Sequence, residues 1–162
     1  MPTAPKAAMA EIELHYDRLG TRLRSIGAAR VEYDHLGSRP CRLGSFELAY
    51  DQAGTRLRSI GDATVEYDHL GTRVRSVGTW ELDYDRVGSR LRRVGPYEVT
   101  YKGPGSRMHT VGPMTVEYDR LGSRPKHVLL SDEATPSLRE AHLIALFLVI
   151  HLSEEAARTE DA

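Results

Sequence analysis

The sequence predicts an all-β domain with one C-terminal helix: an antiparallel meander of about fourteen short strands, curled or closed into a barrel around that helix. Three observations carry this expectation. Tyrosine recurs every 17 residues, at Tyr16, Tyr33, Tyr50, Tyr67, Tyr84, Tyr101 and Tyr118. The residues leading to each tyrosine alternate between apolar and polar. One late stretch, LIALFLVI at 143–150, is apolar at every position. The organisation that follows is an N-terminal tail (1–10), seven 17-residue hairpin repeats (11–130), a linker (131–135), an apolar helix packed on the repeats (136–158) and a short tail (159–162).

The repeat governs the rest. Glycine follows each tyrosine by four residues, at Gly20, Gly37, Gly54, Gly71, Gly88, Gly105 and Gly122, and a second glycine column runs from Gly27 to Gly112. Arginine fills a third column from Arg22 to Arg124, and no insertion or deletion interrupts the period. Fixed-period self-similarity marks a repeat architecture. Seventeen residues are too few for a useful helical hairpin, but they hold two short strands and two tight turns.

The first strand of each unit is half-buried. In one copy Trp80, Leu82 and Tyr84 point one way while Glu81, Asp83 and Asp85 point the other, the period-two pattern of a strand with one wet face. A long turn over 85–90 follows, with Gly88 free to take positive φ. A four-residue loop sets Asp85 opposite Arg90 and Tyr84 opposite Leu91, acid facing base outside and apolar facing apolar inside. The short turn at 94–97 has Gly95 at its first central position, the type II′ pattern, and faces Val94 toward Tyr97. Leu91 and Val94 both belong inside yet stand three apart, so one β-bulge per unit, near Arg92 and Arg93, is required. Repeated bulges coil a sheet. Pro40 and Pro125 remove ladder donors; Pro125 suits a last strand at an edge or seam, whereas Pro40 suggests a break or local edge.

After the repeats, Pro136 is placed to open a helix capped by Thr135, with Ser137 and Glu140 as an alternative capping box. A helix apolar all round is buried in protein or lipid. The uncharged run at 141–153 is too short to span a bilayer core, which needs roughly 18 residues or more, so a buried helix is expected; anchoring of 143–150 in a membrane is the alternative. Fourteen strands at ~4.8 Å, tilted about 40°, close at a radius of roughly 14 Å, against about 10 Å for a sheet packed directly on a helix. Large inner residues such as Trp80, Tyr97 and Phe46, or an oval section, take up the difference. The shape is similar to that of the tubby-like and scramblase barrels.

Composition removes several function classes. A hydrophobic share of 40% with 28% charged residues is globular rather than disordered. Twenty-two basic against 23 acidic residues lack the surplus that nucleic-acid binders carry. Cys41, the single cysteine, excludes an internal disulfide framework. The opening residues contain no apolar run of signal-peptide length, which suggests a cytoplasmic location.

The units YDRLGTRLRSIG, YDHLGTRVRSVG and YDRVGSRLRRVG resemble the YD repeats of RHS proteins, over residues 12–128. Each copy here carries an extra Ser or Thr between glycine and arginine. The resemblance implies an antiparallel strand-turn-strand unit with Tyr16, Gly20, Arg22 and their equivalents as framework; toxin encapsulation does not carry over, because no shell-sized array, cleavage region or toxin domain accompanies the repeats.

Three residue sets bear on function. The arginine column could contact a polyanion, but each member faces an aspartate of its own hairpin (Asp17, Asp34, Asp51, Asp68, Asp85, Asp119), an exposed pair worth about 0–1 kcal/mol that helps fix register. The sixth unit breaks this pattern with Lys102, which stands with Arg107 beside Gly103 and Pro104; these two cations are the candidate anion or partner contact. The tyrosines could stack sugars in a multivalent lectin-like module, but their phase with leucine and valine favours core packing. The histidines share no metal-binding spacing, and no nucleotide or nucleophile motif stands in a matching context. No catalytic, metal or cofactor residue is therefore assigned. The expected function is a non-enzymatic scaffold or assembly component contacting another protein or copies of itself, with a lectin-like module or a helix-mediated self-assembling protein as alternatives.

Overall fold

The computed structural model describes residues 10–17, 22–34, 39–51, 56–68, 73–85, 90–102, 107–118, 124–131 and 139–161, with backbone alone at 10 and 153–161. The equivalents of Gly20 and Gly88 at the long turns, together with His35, His69, Gly103, Pro104 and Asp119, lie outside them. The strands are β1 Ala10–Tyr16, β2 Leu23–Ile26, β3 Ala29–Tyr33, β4 Pro40–Leu43, β5 Phe46–Tyr50, β6 Leu57–Ile60, β7 Ala63–Tyr67, β8 Val74–Val77, β9 Trp80–Tyr84, β10 Leu91–Val94, β11 Tyr97–Tyr101, β12 Met108–Val111, β13 Met114–Tyr118 and β14 Pro125–Leu130; one helix, α1 Glu140–Asp161, follows.

The fourteen strands form one closed antiparallel barrel in chain order, with β14 returning to pair with β1. The seam repeats the register found inside the chain. Val128 faces Ile12 across it, as Ile26 faces Ala29 one unit later. Each hairpin holds the expected register: Tyr84 faces Leu91, Val94 faces Tyr97, and the Asp85 amide donates to the Arg90 carbonyl at 3.0 Å. Pairing slips between Leu91 and Arg93, and the same slip recurs at the equivalent place in every unit. The bulge therefore appears where two inward residues stand three apart, and seven of them curl the sheet until its edges meet.

The short turns require glycine. Gly27, Gly44, Gly61, Gly78, Gly95 and Gly112 all have φ between 57° and 61°, while no described non-glycine residue has positive φ. A type I′ turn needs positive φ at both central residues, so glycine followed by Ala28, Asp62 or Pro96 makes a II′-like turn. At Gly95 space is closed as well: an added Cβ would lie 2.5 Å from the Trp80 ring.

The inner face is apolar along every strand and wraps α1. His142, Leu143 and the run 145–150 are 0–7% exposed, so this stretch of the helix is the core of the barrel. At the short-turn end Trp80 meets Tyr97 edge-on at 5.9 Å, and Tyr97 meets His142 at 5.9 Å. This chain of rings spans the gap between a wide wall and a narrow helix. No helix among the described residues is long and apolar enough to cross a membrane.

One expectation is corrected, and another falls on residues outside those described. The described helix spans Glu140–Asp161. Arg139 is the cap residue: its carbonyl accepts the Leu143 amide at 3.0 Å and its amide donates to Nδ1 of His142 at 3.1 Å. A buried imidazole thus does what the glutamate of a capping box does; Thr135, Pro136 and Ser137 lie outside the described residues. Pro40, in turn, marks neither a break nor an edge. It is the first residue of β4, opposite Tyr33 at the bulge, and β4 is paired on both sides. Proline is tolerated as the first residue of a strand, and the rungs that β4 shares with β5 begin only at Arg42.

Candidate functional site

The tyrosine end of the barrel carries a ring of repeated side-chain constellations. Between units the ladder is short: β2 and β3 pair only at Ser25 with Arg30 and Ile26 with Ala29. The Leu23 carbonyl therefore lies beyond the last rung, and the Tyr33 hydroxyl, reaching across from β3, donates to it at 2.9 Å. The same bond joins Tyr50 to Pro40, Tyr67 to Leu57, Tyr84 to Val74 and Tyr101 to Leu91 at 2.7–2.9 Å, and Tyr118 bonds the Met108 main chain. Across the seam Tyr16 donates to the Pro125 carbonyl at 2.8 Å. Each tyrosine is a wedge that fills the opening between hairpins and satisfies a carbonyl that the ladder leaves behind.

Arginine covers the wedge. Arg22 lies over the Tyr33 ring at 4.8 Å, and five further stacks, including Arg124 over Tyr16 at the seam, fall at 4.5–4.7 Å. The same guanidinium reaches back to the aspartate of its own hairpin: Arg22 to Asp17, Arg39 to Asp34, Arg56 to Asp51, Arg73 to Asp68 and Arg90 to Asp85, at 3.0–3.6 Å. An aspartate, an arginine and the next unit's tyrosine thus link one hairpin to its neighbour around the rim.

Burial dominates the phenols. The Tyr84 and Tyr101 hydroxyls are pushed up to about 12 by loss of hydration, against the opposing pull of Arg73 and Arg90, and Tyr118 is raised for the same leading reason. Each stays a neutral donor well above neutral pH.

The sixth hairpin departs from this scheme. Its Lys102 amide still donates to the Arg107 carbonyl at 3.0 Å, so the turn closes as elsewhere. Lys102 stands where the other hairpins place aspartate, and both Lys102 and Arg107 are exposed. Arg107 lies over Tyr118 at 5.5 Å, the loosest of the seven stacks, and among the described residues it has no carboxylate partner. The structure therefore brings the two predicted cations together at the one described hairpin where an arginine loses its acid.

Other polar groups do not converge. Cys41 is half-exposed at the β4 bulge. His142 is buried in the helix cap, and His151 stacks on Phe147 at 5.3 Å. His109 Nδ1 is buried without a hydrogen-bond partner among the described residues. No group of three or more His, Cys, Asp or Glu among them could hold a metal ion.

The sequence signalled the pairing of arginine with aspartate inside a hairpin. It did not signal the stack of arginine on tyrosine between hairpins, because a column cannot say which copy a side chain leans on. The available clue was that arginine and tyrosine persist in all seven copies, more constancy than a surface ion pair needs.

No family model matches the chain, and neither the curated proteins nor the solved structures contain a match to it. The fold defines its class: a closed antiparallel barrel of fourteen strands with one C-terminal helix.

Proposed function

We propose that the protein is a non-enzymatic scaffold that acts through the outside of its barrel, contacting another protein or further copies of itself. The observation that carries this reading is the filled interior. With His142, Leu143 and 145–150 packed inside, the described charged side chains are on the wall and at the rims. The outward positions of even strands are largely basic, as Arg24, Arg58, Arg75 and Arg92, and those of odd strands largely acidic, as Glu32, Glu66, Glu81 and Glu98, all exposed. Alternating charged staves suit a partner of complementary pattern, including a second copy, and their effect falls on recognition and association rate more than on affinity. This polarity is the reverse of a lipid-facing barrel, whose outside is apolar. The likeness to YD repeats agrees with a framework role for the tyrosines, whose covered faces give a sugar-stacking role no support.

The test is a comparison of the intact protein with a variant in which Arg58, Arg75 and Arg92 are replaced by Glu. Light scattering and cross-linking would report self-association, and affinity capture would report other partners. Association that is lost in the variant while the melting curve is kept supports the reading. Association indifferent to the wall overturns it.

A further inference from the structure

We infer that Lys102 and Arg107 form a binding site for an external oxyanion, a carboxylate from an acidic protein segment, which takes the place of the aspartate that the sixth hairpin lacks. The molecule supplies its own reference complexes. In five hairpins an arginine lies over the next unit's tyrosine with a carboxylate oxygen 3.0–3.6 Å from its Nε. The platform is kept in the sixth: Arg107 remains over Tyr118, and the Lys102 to Arg107 main-chain bond keeps the turn closed at 3.0 Å. What changes is the acid. With lysine in its place, Arg107 has no carboxylate partner among the described residues, and a second cation stands opposite it across the turn. Arginine presents a planar fork matched to carboxylate and phosphate oxygens, and stacking on an aromatic ring reduces the freedom it loses on binding.

The surrounding unit reinforces the bias. The residue two before Lys102 is Thr100, bonded to Thr110 at 2.6 Å, where the fifth hairpin places Asp83 beside Arg93 at 3.9 Å. Relative to its neighbour, the sixth hairpin has exchanged two acids for a hydroxyl and an ammonium. Both cations are exposed, so the attraction is screened by salt and the expected affinity is modest.

The experiment follows the arginine Nε–Hε resonances of the full chain at low ionic strength, titrated with a short poly-glutamate peptide and separately with inorganic phosphate. The expected result is a saturable shift of Arg107, with the other rim arginines unmoved, at millimolar or tighter peptide concentration. K102D restores the missing acid and is expected to weaken binding at least tenfold, with a melting temperature no lower than the parent's; R107Q is expected to lose binding. Peptide saturation without phosphate saturation supports a carboxylate ligand, and the reverse overturns that choice of ligand. Shifts spread evenly over the rim arginines, or undiminished binding by K102D, overturn the site. Wall-dependent association, tested with the Arg58, Arg75 and Arg92 variant, is read independently of this result.

Discussion

Removing the helix should destroy the barrel. If the chain is ended after Ser131, the inner columns lose the side chains of Leu143, Leu146, Phe147, Leu148, Val149 and Ile150, each at most 7% exposed. Full burial of such a side chain is worth about 1.5–3 kcal/mol, so the six together contribute roughly 9–18 kcal/mol before strain or hydration of the emptied interior. A natural domain of this size has a net stability of about 5–15 kcal/mol. The truncated chain is therefore expected to aggregate or to lose cooperative unfolding, because a soluble monomer does not tolerate so large an apolar lining. A graded version uses Leu148→Ala, whose side chain is fully enclosed. Deleting a buried leucine costs about 2–5 kcal/mol, and at roughly 2–4 °C per kcal/mol for a chain of this length the melting temperature should fall by about 4–20 °C. Circular dichroism, light scattering and calorimetry read both outcomes. A truncated chain that stays monomeric and melts cooperatively would refute the view that the helix is core.

Three further outcomes follow from the wedges and turns. Tyr84→Phe leaves the Val74 carbonyl without its 2.8 Å donor and should cost about 1 kcal/mol by urea denaturation; Tyr16→Phe should cost a similar amount if the seam is closed as the other joints are, and almost nothing if it is open. Stability should fall in alkali: Tyr84 and Tyr101 titrate near 12 when folded and near 10 when unfolded, so the stability tied to their protons is fully present below pH 10 and is lost as pH rises toward 12, as denaturation midpoints at pH 8, 10 and 11.5 would show. Gly95→Ala should be the costlier of two turn substitutions: both it and Gly44→Ala force alanine to positive φ, at about 1–2 kcal/mol, but only at Gly95 does the new Cβ meet an indole ring at 2.5 Å rather than a methyl at 3.4 Å.

Much of the architecture could be worked out one hairpin at a time. The register of Tyr84 with Leu91 and Val94 with Tyr97, the bulge between them and the burial of the LIALFLVI run all follow from spacing and polarity. The bond from the Arg139 amide to His142 did not, because a histidine serves as that acceptor only through its burial against Tyr97. Pro40 misled because a proline is penalised for an amide it cannot donate, and sequence does not reveal that the ladder to β5 starts only at Arg42, beyond it. At the candidate site, the charge swap at Lys102 was visible as a broken column, whereas the stack of Arg107 on Tyr118 was not.

The repeating unit is legible in the chain alone, since alternation, glycine positions and side-chain size act over a few residues and any copy reveals them. That the ends meet, and that Arg124 reaches Tyr16 across the seam, emerges only from the folded barrel. Those two residues are 108 positions apart in the chain; they touch because seven small bends add up to one full turn, and such a sum is fixed by the geometry of the whole wall rather than by any residue within it.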